Sequence, residues 1–508
     1  MKKHVSVLVA AVVAVIVGAV LTAAARAAER PNVVFLFADD MGYGEVGCFG
    51  QEKIRTPNID RLAKEGLRLT QHYSGNAVCA PSRCVLMTGK HPGHAFIRNN
   101  RSTPPEGQYP IPDETVTMVE LFQKLGYVTG GFGKWGLGGP DSSGMPTKQG
   151  ISRWFGYYCQ GVAHNHYPTY LWSNDQRFPV DNPEFSAHQK LPADADPADP
   201  ASYKPYEGKH FAMDLITEQA VKFIQDNKAR PFFLYYPTII PHMAMQVPAD
   251  SLAEYKDAFP EKPHLGERGY LPHQTPRAAY AAMITRMDRH VGMIVKAIEA
   301  AGLDERTIFV FSSDNGPAYD GYGGTDDAFF NSAGGLRGRK GQLYEGGIRV
   351  PTIVRWKGHV DAGGTSDFVS GLEDWLPTLL NLADAGESVP KDLDGIDISP
   401  TLLGKSQEAR AFLYREFPAY GGQQSVRVGD WKGIRVNLMP GGGGKAKNKK
   451  KATAQPNMHI QLYNLKTDPH EEKDVSAEHP EIVAKIARLM KDEHVPSQEF
   501  PFPALDNQ

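Results

Sequence analysis

The sequence predicts an α/β protein: a large α/β/α sandwich on a mostly parallel mixed sheet, followed by a small C-terminal α+β subdomain with an antiparallel sheet. Three observations carry this expectation. Continuous apolar runs of strand length stand at residues 33–38, 231–236 and 307–311, as central strands covered on both faces require. Between them lie stretches with apolar residues at helical spacing, among them 114–125 and 276–301. Beyond about residue 404 the apolar runs shorten, at 412–414, 425–428, 431–434 and 461–465, as in antiparallel pairing. At 508 residues the chain has length for one large domain and a smaller companion.

Taken in order, the first strand ends abruptly at Asp39-Asp40, before Met41-Gly42-Tyr43-Gly44. Adjacent carboxylates at a strand exit suit a hard cation, although Asp-Asp-x-Gly also occurs in solvated turns. A helix follows Thr56-Pro57-Asn58, with Ile59, Leu62, Ala63 and Leu67 on its apolar side. After the helix at 114–125, a short strand at 126–132 runs into Gly133-Lys134-Trp135-Gly136, where glycines let the backbone approach a ligand and Lys134 supplies a point charge. Residues 151–172 are rich in aromatics and contain His164-Asn165-His166-Tyr167; packing accounts for most of the rings, whereas two histidines in a turn suit an accessible position. Residues 173–209 lose periodicity and read as a surface insertion, a lid or substrate-facing loop.

A helix around 213–226 leads to the second apolar run, which exits into Pro241-His242. In the long helix at 276–301, Met283 and Met287 read as core filling and His290 as a surface residue. The third run exits at Ser312-Ser313-Asp314-Asn315-Gly316, again presenting side-chain oxygens. Lys340 is a second lysine in a glycine-flanked turn, and Leu393 to Leu403 closes the large domain. The expected organisation is thus 1–27 leader, 28–403 catalytic domain and 404–508 C-terminal subdomain, with a basic low-complexity loop at 440–456.

The leader assignment rests on Lys2 and Lys3, an apolar stretch at 5–21 and the small-x-small sequence Ala25-Arg26-Ala27. It implies export to the periplasm or extracellular space, with an uncleaved N-terminal anchor as the alternative. Cleavage would leave no stable membrane association. It would also move the formal net charge from -3 to -6 by removing Lys2, Lys3 and Arg26, and a mildly acidic protein is a poor nonspecific nucleic-acid binder. Four cysteines, Cys48, Cys79, Cys84 and Cys159, do not make a disulfide framework.

Residues 79–83 read Cys-Ala-Pro-Ser-Arg. Pro81 suits a first helical turn, which places Cys79 where a loop enters a helix and anions are favoured. Arg83 lies one turn on, on the same side. Cys-x-Pro-Ser-Arg followed by Met87-Thr88-Gly89 resembles the signature of type I sulfatases of the alkaline-phosphatase-like superfamily, in which a maturation enzyme oxidises the cysteine to formylglycine. Together with Asp39, Asp40, Lys134, His242, Asp314, Asn315, Lys340, Gly346-Gly347 and the C-terminal Leu462-Tyr463-Asn464-Leu465, the resemblance covers nearly the whole mature chain. It extends to bacterial polysaccharide sulfatases acting on galactose or N-acetylgalactosamine sulfates. It implies hydrolysis of a sulfated carbohydrate, with Asp39, Asp40, Asp314, Asn315 and modified Cys79 around calcium, magnesium being the alternative ion. Arg83, Lys134 and Lys340 would surround the sulfate oxygens, and His242 would face the bridging oxygen. An all-oxygen side-chain set favours such ions over zinc.

One position departs from the family pattern. The commoner form is Gly-Lys-Trp-His-Leu, whereas this chain has Gly136 in place of the histidine. His164 or His166 is the expected source of the missing imidazole. The rival readings are a phosphodiester or phosphonate monoester hydrolase of the same superfamily and a catalytically silent binder of sulfated glycans.

Overall fold

A computed structural model describes residues 30–439 and 455–506. The expected leader, residues 1–27, and residues 440–454 of the basic loop lie outside the described residues. Among the described residues, no helix is long and apolar enough to cross a membrane.

Four parallel strands form the centre of a ten-stranded sheet: β1 (Asn32–Asp39), β2 (Val128–Lys134), β3 (Phe232–Pro241) and β4 (Thr307–Ser313). β1 lies between β3 and β4, and β2 lies on the far side of β3. The register pairs Phe35 with Tyr235 and with Val310, so the three apolar runs seen in the sequence are neighbours. Antiparallel pairs join toward both edges, making the sheet mixed.

Alternation along β1 explains the two layers of core. Val34, Leu36 and Ala38 pack into one hydrophobic cluster, which also holds Ile216 and Ile224 of the helix Ala212–Asn227 and Met283 and Met287 of the helix Pro276–Ala300. Val33, Phe35 and Phe37 face the opposite cluster, with Leu86 and Met87 of α1 (Cys79–Thr88) and Leu376 and Leu379 of the helix Trp375–Leu382. The sheet is therefore covered on both faces.

The helix expected at 114–125 begins later, at Met118, because Thr117 and Glu120 form a reciprocal capping box. His290 is not a surface residue. Its side chain is buried and its Nε2 lies 2.7 Å from Asp214 Oδ1, because the helix Pro276–Ala300 is covered by Ala212–Asn227 along that face. Residues 173–209 are largely exposed, with a strand at Gln176–Pro179 on the sheet edge and a 3-10 stretch at Pro200–Tyr206. All four cysteines are free thiols.

The C-terminal region folds as a separate antiparallel sheet of Leu413–Phe417, Gln423–Val428, Trp431–Val436 and Gln461–Asn464, in that order. Helix Pro480–Asp492 packs on it through Ile486 and Met490.

Candidate active site

The parallel strands β1, β2, β3 and β4 end on one rim of the sheet, and their last residues are those the sequence singled out. Asp39 ends β1 and Lys134 ends β2. His242 follows β3, and Asp314-Asn315 follows β4. α1 begins at Cys79 after the extended Val78, as the Pro81 placement anticipated. Lys340 reaches the cluster from the loop that precedes Glu345–Ile348.

The groups are in direct contact. Cys79 Sγ lies 3.4 Å from Asp39 Oδ1 and 3.6 Å from Lys340 Nζ. Lys134 Nζ donates to Asp39 Oδ2 at 2.5 Å, and Lys340 Nζ donates to Asp40 Oδ2 at 2.8 Å. Arg83 clasps Asp314 Oδ2 through Nε and Nη2 at 3.2 and 2.8 Å, while its Nη1 donates to the Lys134 carbonyl at 2.6 Å. Asp40 has φ 66, a left-handed conformation that aspartate tolerates, and its N–H donates to Asp314 Oδ1 at 3.1 Å. His242 Nδ1 lies 2.7 Å from the Met243 carbonyl, which makes Nδ1 the donor and turns Nε2 toward Asp40, 3.6 Å away.

Three carboxylates and three cations share this buried space, and their protonation follows from the balance. Burial pushes Asp39 up, but Lys134, His242, Arg83 and Lys340 together hold it well below the usual carboxylate range. Asp40 is raised by burial, which Lys340 only partly opposes and Asp39 reinforces. Burial and then Asp39 raise Asp314 to about 6, against the pull of Arg83. Burial followed by the Asp39 charge also raises the Cys79 thiol, so the unmodified side chain is a neutral thiol and a poor nucleophile. His242 is held well below the usual histidine value by burial and Lys340.

The donor chemistry fits a hard divalent cation. Asp39, Asp40, Asp314 and Cys79 each present a ligand atom within 4.8 Å of the others. Asn315 donates through Nδ2 to Asp40 Oδ1 and the Gly316 carbonyl, both at 2.8 Å, while its Oδ1 is buried with no hydrogen-bond partner among the described residues. An orphaned amide oxygen beside raised carboxyls is what a bound cation would satisfy.

The two histidines proposed to replace the absent imidazole diverge. His164 stacks on His242, with ring centroids 4.9 Å apart and planes 7° from parallel, and its Nδ1 lies 3.0 Å from His188 Nε2. His166 instead directs Nε2 to the His242 carbonyl at 3.0 Å and stacks on Phe211, bracing the β3 exit from behind. The structure brings His164, and not His166, alongside the ring of His242.

Gly136 has φ 87, where a histidine would be strained, and a Cβ there would meet Arg83 Cδ at 3.4 Å and Gln160 Nε2 at 3.5 Å. Amides occupy this side: Gln108 donates to Gln160 Oε1 at 2.7 Å, Gln160 donates to Asn100 Oδ1 at 3.3 Å, and Asn100 Oδ1 also accepts the Ala80 N–H at 3.0 Å, capping α1. Sequence reasoning missed Asn100, Gln108 and Gln160, since isolated loop amides carry no local signal.

Fixed cations beside buried carboxylates at the C-terminal rim of a parallel sheet are the groups with which a site can hold an oxyanion and neutralise charge as an ester bond breaks. On an α/β/α sandwich this defines a hydrolase of oxyanion esters with the alkaline-phosphatase-like fold. The chain belongs to the sulfatase family and hydrolyses sulfate esters: residues 31–385 match the Sulfatase family model. Residues 339–495 match the family described as N-sulphoglucosamine sulphohydrolase, C-terminal. The chain is 32% identical over 500 residues to arylsulfatase A of Homo sapiens, covering 92% of this chain and 89% of that protein. It is 29% identical over 507 residues to N-acetylgalactosamine-6-O-sulfatase of Bacteroides thetaiotaomicron, covering 91% and 93%. The crystal structure of Ps i-CgsB, solved also in complex with k-i-k-neocarrahexaose, superposes with a TM-score of 0.71 at 25% identity and covers 94% of each chain.

Proposed function

We propose that this sulfatase is exported, acts on a sulfated carbohydrate of the galactose or N-acetylgalactosamine series, and works through Cys79 converted by a maturation enzyme to formylglycine. The observation that carries the reading is the setting of Cys79. Its sulfur stands at a helix N-terminus between Asp39 and Lys340, yet burial keeps the thiol protonated, so this position is built for a nucleophile that the cysteine itself does not supply. The hydrated aldehyde supplies two hydroxyls on one carbon, one to attack sulfur and one whose oxygen can re-form the carbonyl and release sulfate.

Asp39, Asp40, Asp314 and Asn315, with the residue at 79, would hold calcium, which neutralises sulfate oxygens. Lys134 and Lys340 carry their charges into the same space, and Arg83 fixes Asp314 and the end of β2. His242, with Nδ1 held by the Met243 carbonyl, offers Nε2 to the bridging oxygen as the ester bond breaks. His164 takes the role that a histidine at position 136 has in the commoner family form, a reading supported by its stacking on His242 and its link to His188. The carbohydrate assignment draws support from the N-acetylgalactosamine-6-O-sulfatase of Bacteroides thetaiotaomicron and from the neocarrahexaose complex of Ps i-CgsB.

The test is a panel of regioisomeric sulfated mono- and disaccharides, with matched aryl sulfate and aryl phosphate diester controls, run on protein whose Cys79 conversion is established by mass spectrometry. Sulfate release from one regioisomer of a galactose-type sugar is expected. Cleavage confined to the phosphate diester would overturn the reading, as would tight glycan binding without sulfate release. Adding calcium to chelator-treated protein is expected to raise its Tm, because the ion relieves repulsion among three buried carboxylates.

A further inference from the structure

Beside Lys340 a partly open cavity of about 260 Å³ lies between loops of the catalytic side and the C-terminal sheet. Its walls come from both parts of the molecule: Tyr319, Gly341, Gln342 and Tyr344 from the catalytic side, Gln423 and Val436 from strands of the C-terminal sheet, and Tyr420 and Asn437 from the chain flanking those strands. It adjoins the nucleophile position. The Gly341 N–H donates to the Ala77 carbonyl at 2.7 Å, two residues before Cys79, and the neighbouring Lys340 Nζ is 3.6 Å from Cys79 Sγ.

We propose that this cavity is a subsite for an uncharged pyranose ring adjacent to the sulfated sugar, so that the enzyme reads a saccharide chain rather than a single residue. The inference rests on the carbohydrate reading above. Three features point to this ligand. Tyrosine rings offer flat apolar faces to the C–H face of a sugar, and amides suit its hydroxyls. Among the described residues the lining carries no charged side chain, which favours a neutral ring over a uronic acid or a second sulfate ester. The volume lies below the roughly 300–1,000 Å³ of sites for drug-sized ligands, on the scale of one ring.

The backbone supports the same conclusion independently. Tyr420 has φ 52 in the turn between Leu413–Phe417 and Gln423–Val428, and Asn437 has φ 60 just after Trp431–Val436. A tyrosine in the left-handed region is an outlier of the kind that concentrates at ligand sites. Held there, its ring stacks on Tyr319 with centroids 6.3 Å apart, and Tyr420 remains 54% exposed, one of the few large apolar side chains so open to solvent.

Tyr420→Gly tests the subsite, because glycine accepts φ 52 and removes the ring without adding strain. Tyr420→Phe keeps the ring. Substrates are a sulfated trisaccharide with neutral neighbouring sugars, the matched sulfated monosaccharide, and an aryl sulfate that reports on the catalytic centre. The expected result is that Tyr420→Gly lowers the trisaccharide-to-monosaccharide ratio of kcat/KM about tenfold, chiefly through KM, while Tyr420→Phe stays within about twofold of the parent. An equal ratio in parent and Tyr420→Gly overturns the subsite, as does a matching loss on all three substrates. If the parent cleaves the aryl sulfate but no sulfated saccharide, the carbohydrate reading itself fails and takes the subsite with it; if it cleaves the monosaccharide without preferring the trisaccharide, only the subsite fails.

Discussion

Glu373, Asp374, Arg410 and Arg415, buried between the two sheets, use many of the same residue types as the cluster under Cys79. Arg415 grips both Glu373 oxygens at 3.0 and 2.9 Å, and Arg410 Nη1 reaches both Asp374 oxygens at 2.7 Å. The Gly371 and Ile396 N–H groups donate to Asp374 as well. Each carboxylate oxygen there has a partner. Under Cys79 two of the three cations are lysines, which are point charges on flexible stems, and Asn315 Oδ1 is left without a partner. The closed network joins parts of the fold, whereas the open one leaves an oxygen unsatisfied, as the proposed ion site requires. Each carboxylate oxygen under Cys79 has a partner too, so the difference lies in lysines set where the other cluster has arginines and in the one amide oxygen left unsatisfied.

Mutations should separate the two. Removing the proposed nucleophile precursor has the largest effect: Cys79→Ala is expected to lower kcat on the order of 10⁴-fold or more, with a thermal midpoint close to the parent's. Arg415→Ala should do the opposite, costing roughly 3–5 kcal/mol of stability by leaving Glu373 buried and unpaired, while kcat per folded molecule persists. A denaturant titration beside an activity assay distinguishes the two patterns, and an inactive but stable Arg415→Ala protein would erase the contrast drawn here.

Lys340→Ala comes next, with an expected loss of about 10²–10³-fold in kcat if this charge serves the sulfate oxygens as proposed. The acid limb of stability sharpens the comparison further. Burial raises Glu373, but Arg415 and Arg410 outweigh it and bring the carboxyl down to about 2 from an unfolded value of 4.5. A depressed carboxyl contributes stability above pH 4.5 and loses it as pH falls from 4.5 through 2. That acid limb should flatten in Arg415→Ala and persist in Cys79→Ala, as followed by Tm against pH. The smallest effect is at the stacked pair: His164→Ala is expected to lower kcat about tenfold with a changed pH profile, whereas His166→Ala should act on stability through the lost bond to the His242 carbonyl. Full turnover by His164→Ala would return the question of the missing imidazole to the amides around Gly136.

Much of the site could be read from the chain because the chemistry follows regular elements. Apolar runs that stop at Asp39, at His242 and at Asp314 mark strand ends, and parallel strands bring their ends to one rim without further information. Pro81 and Arg83 placed Cys79 at a helix start on local grounds alone. The misreadings share a different cause. His290 was assigned to the surface because helical spacing identifies a buried stripe but not how many neighbours cover the helix, and Asp214, its partner, lies 76 residues away. His164 and His166 could not be told apart because residues two apart in a turn point to different surroundings.

By itself the sequence determined the family, the start of a helix at Cys79 and the rim of the sheet on which the charged groups gather, since each rests on motifs or periodic patterns within single segments. Only the tertiary structure decided which histidine stands beside His242, which amides fill the space at Gly136, and that Tyr420 and Asn437 from the chain flanking the C-terminal strands meet Tyr319 across a cavity beside Lys340. Those contacts join segments tens to hundreds of residues apart, and their geometry is set by how the two sheets pack, which no local pattern encodes.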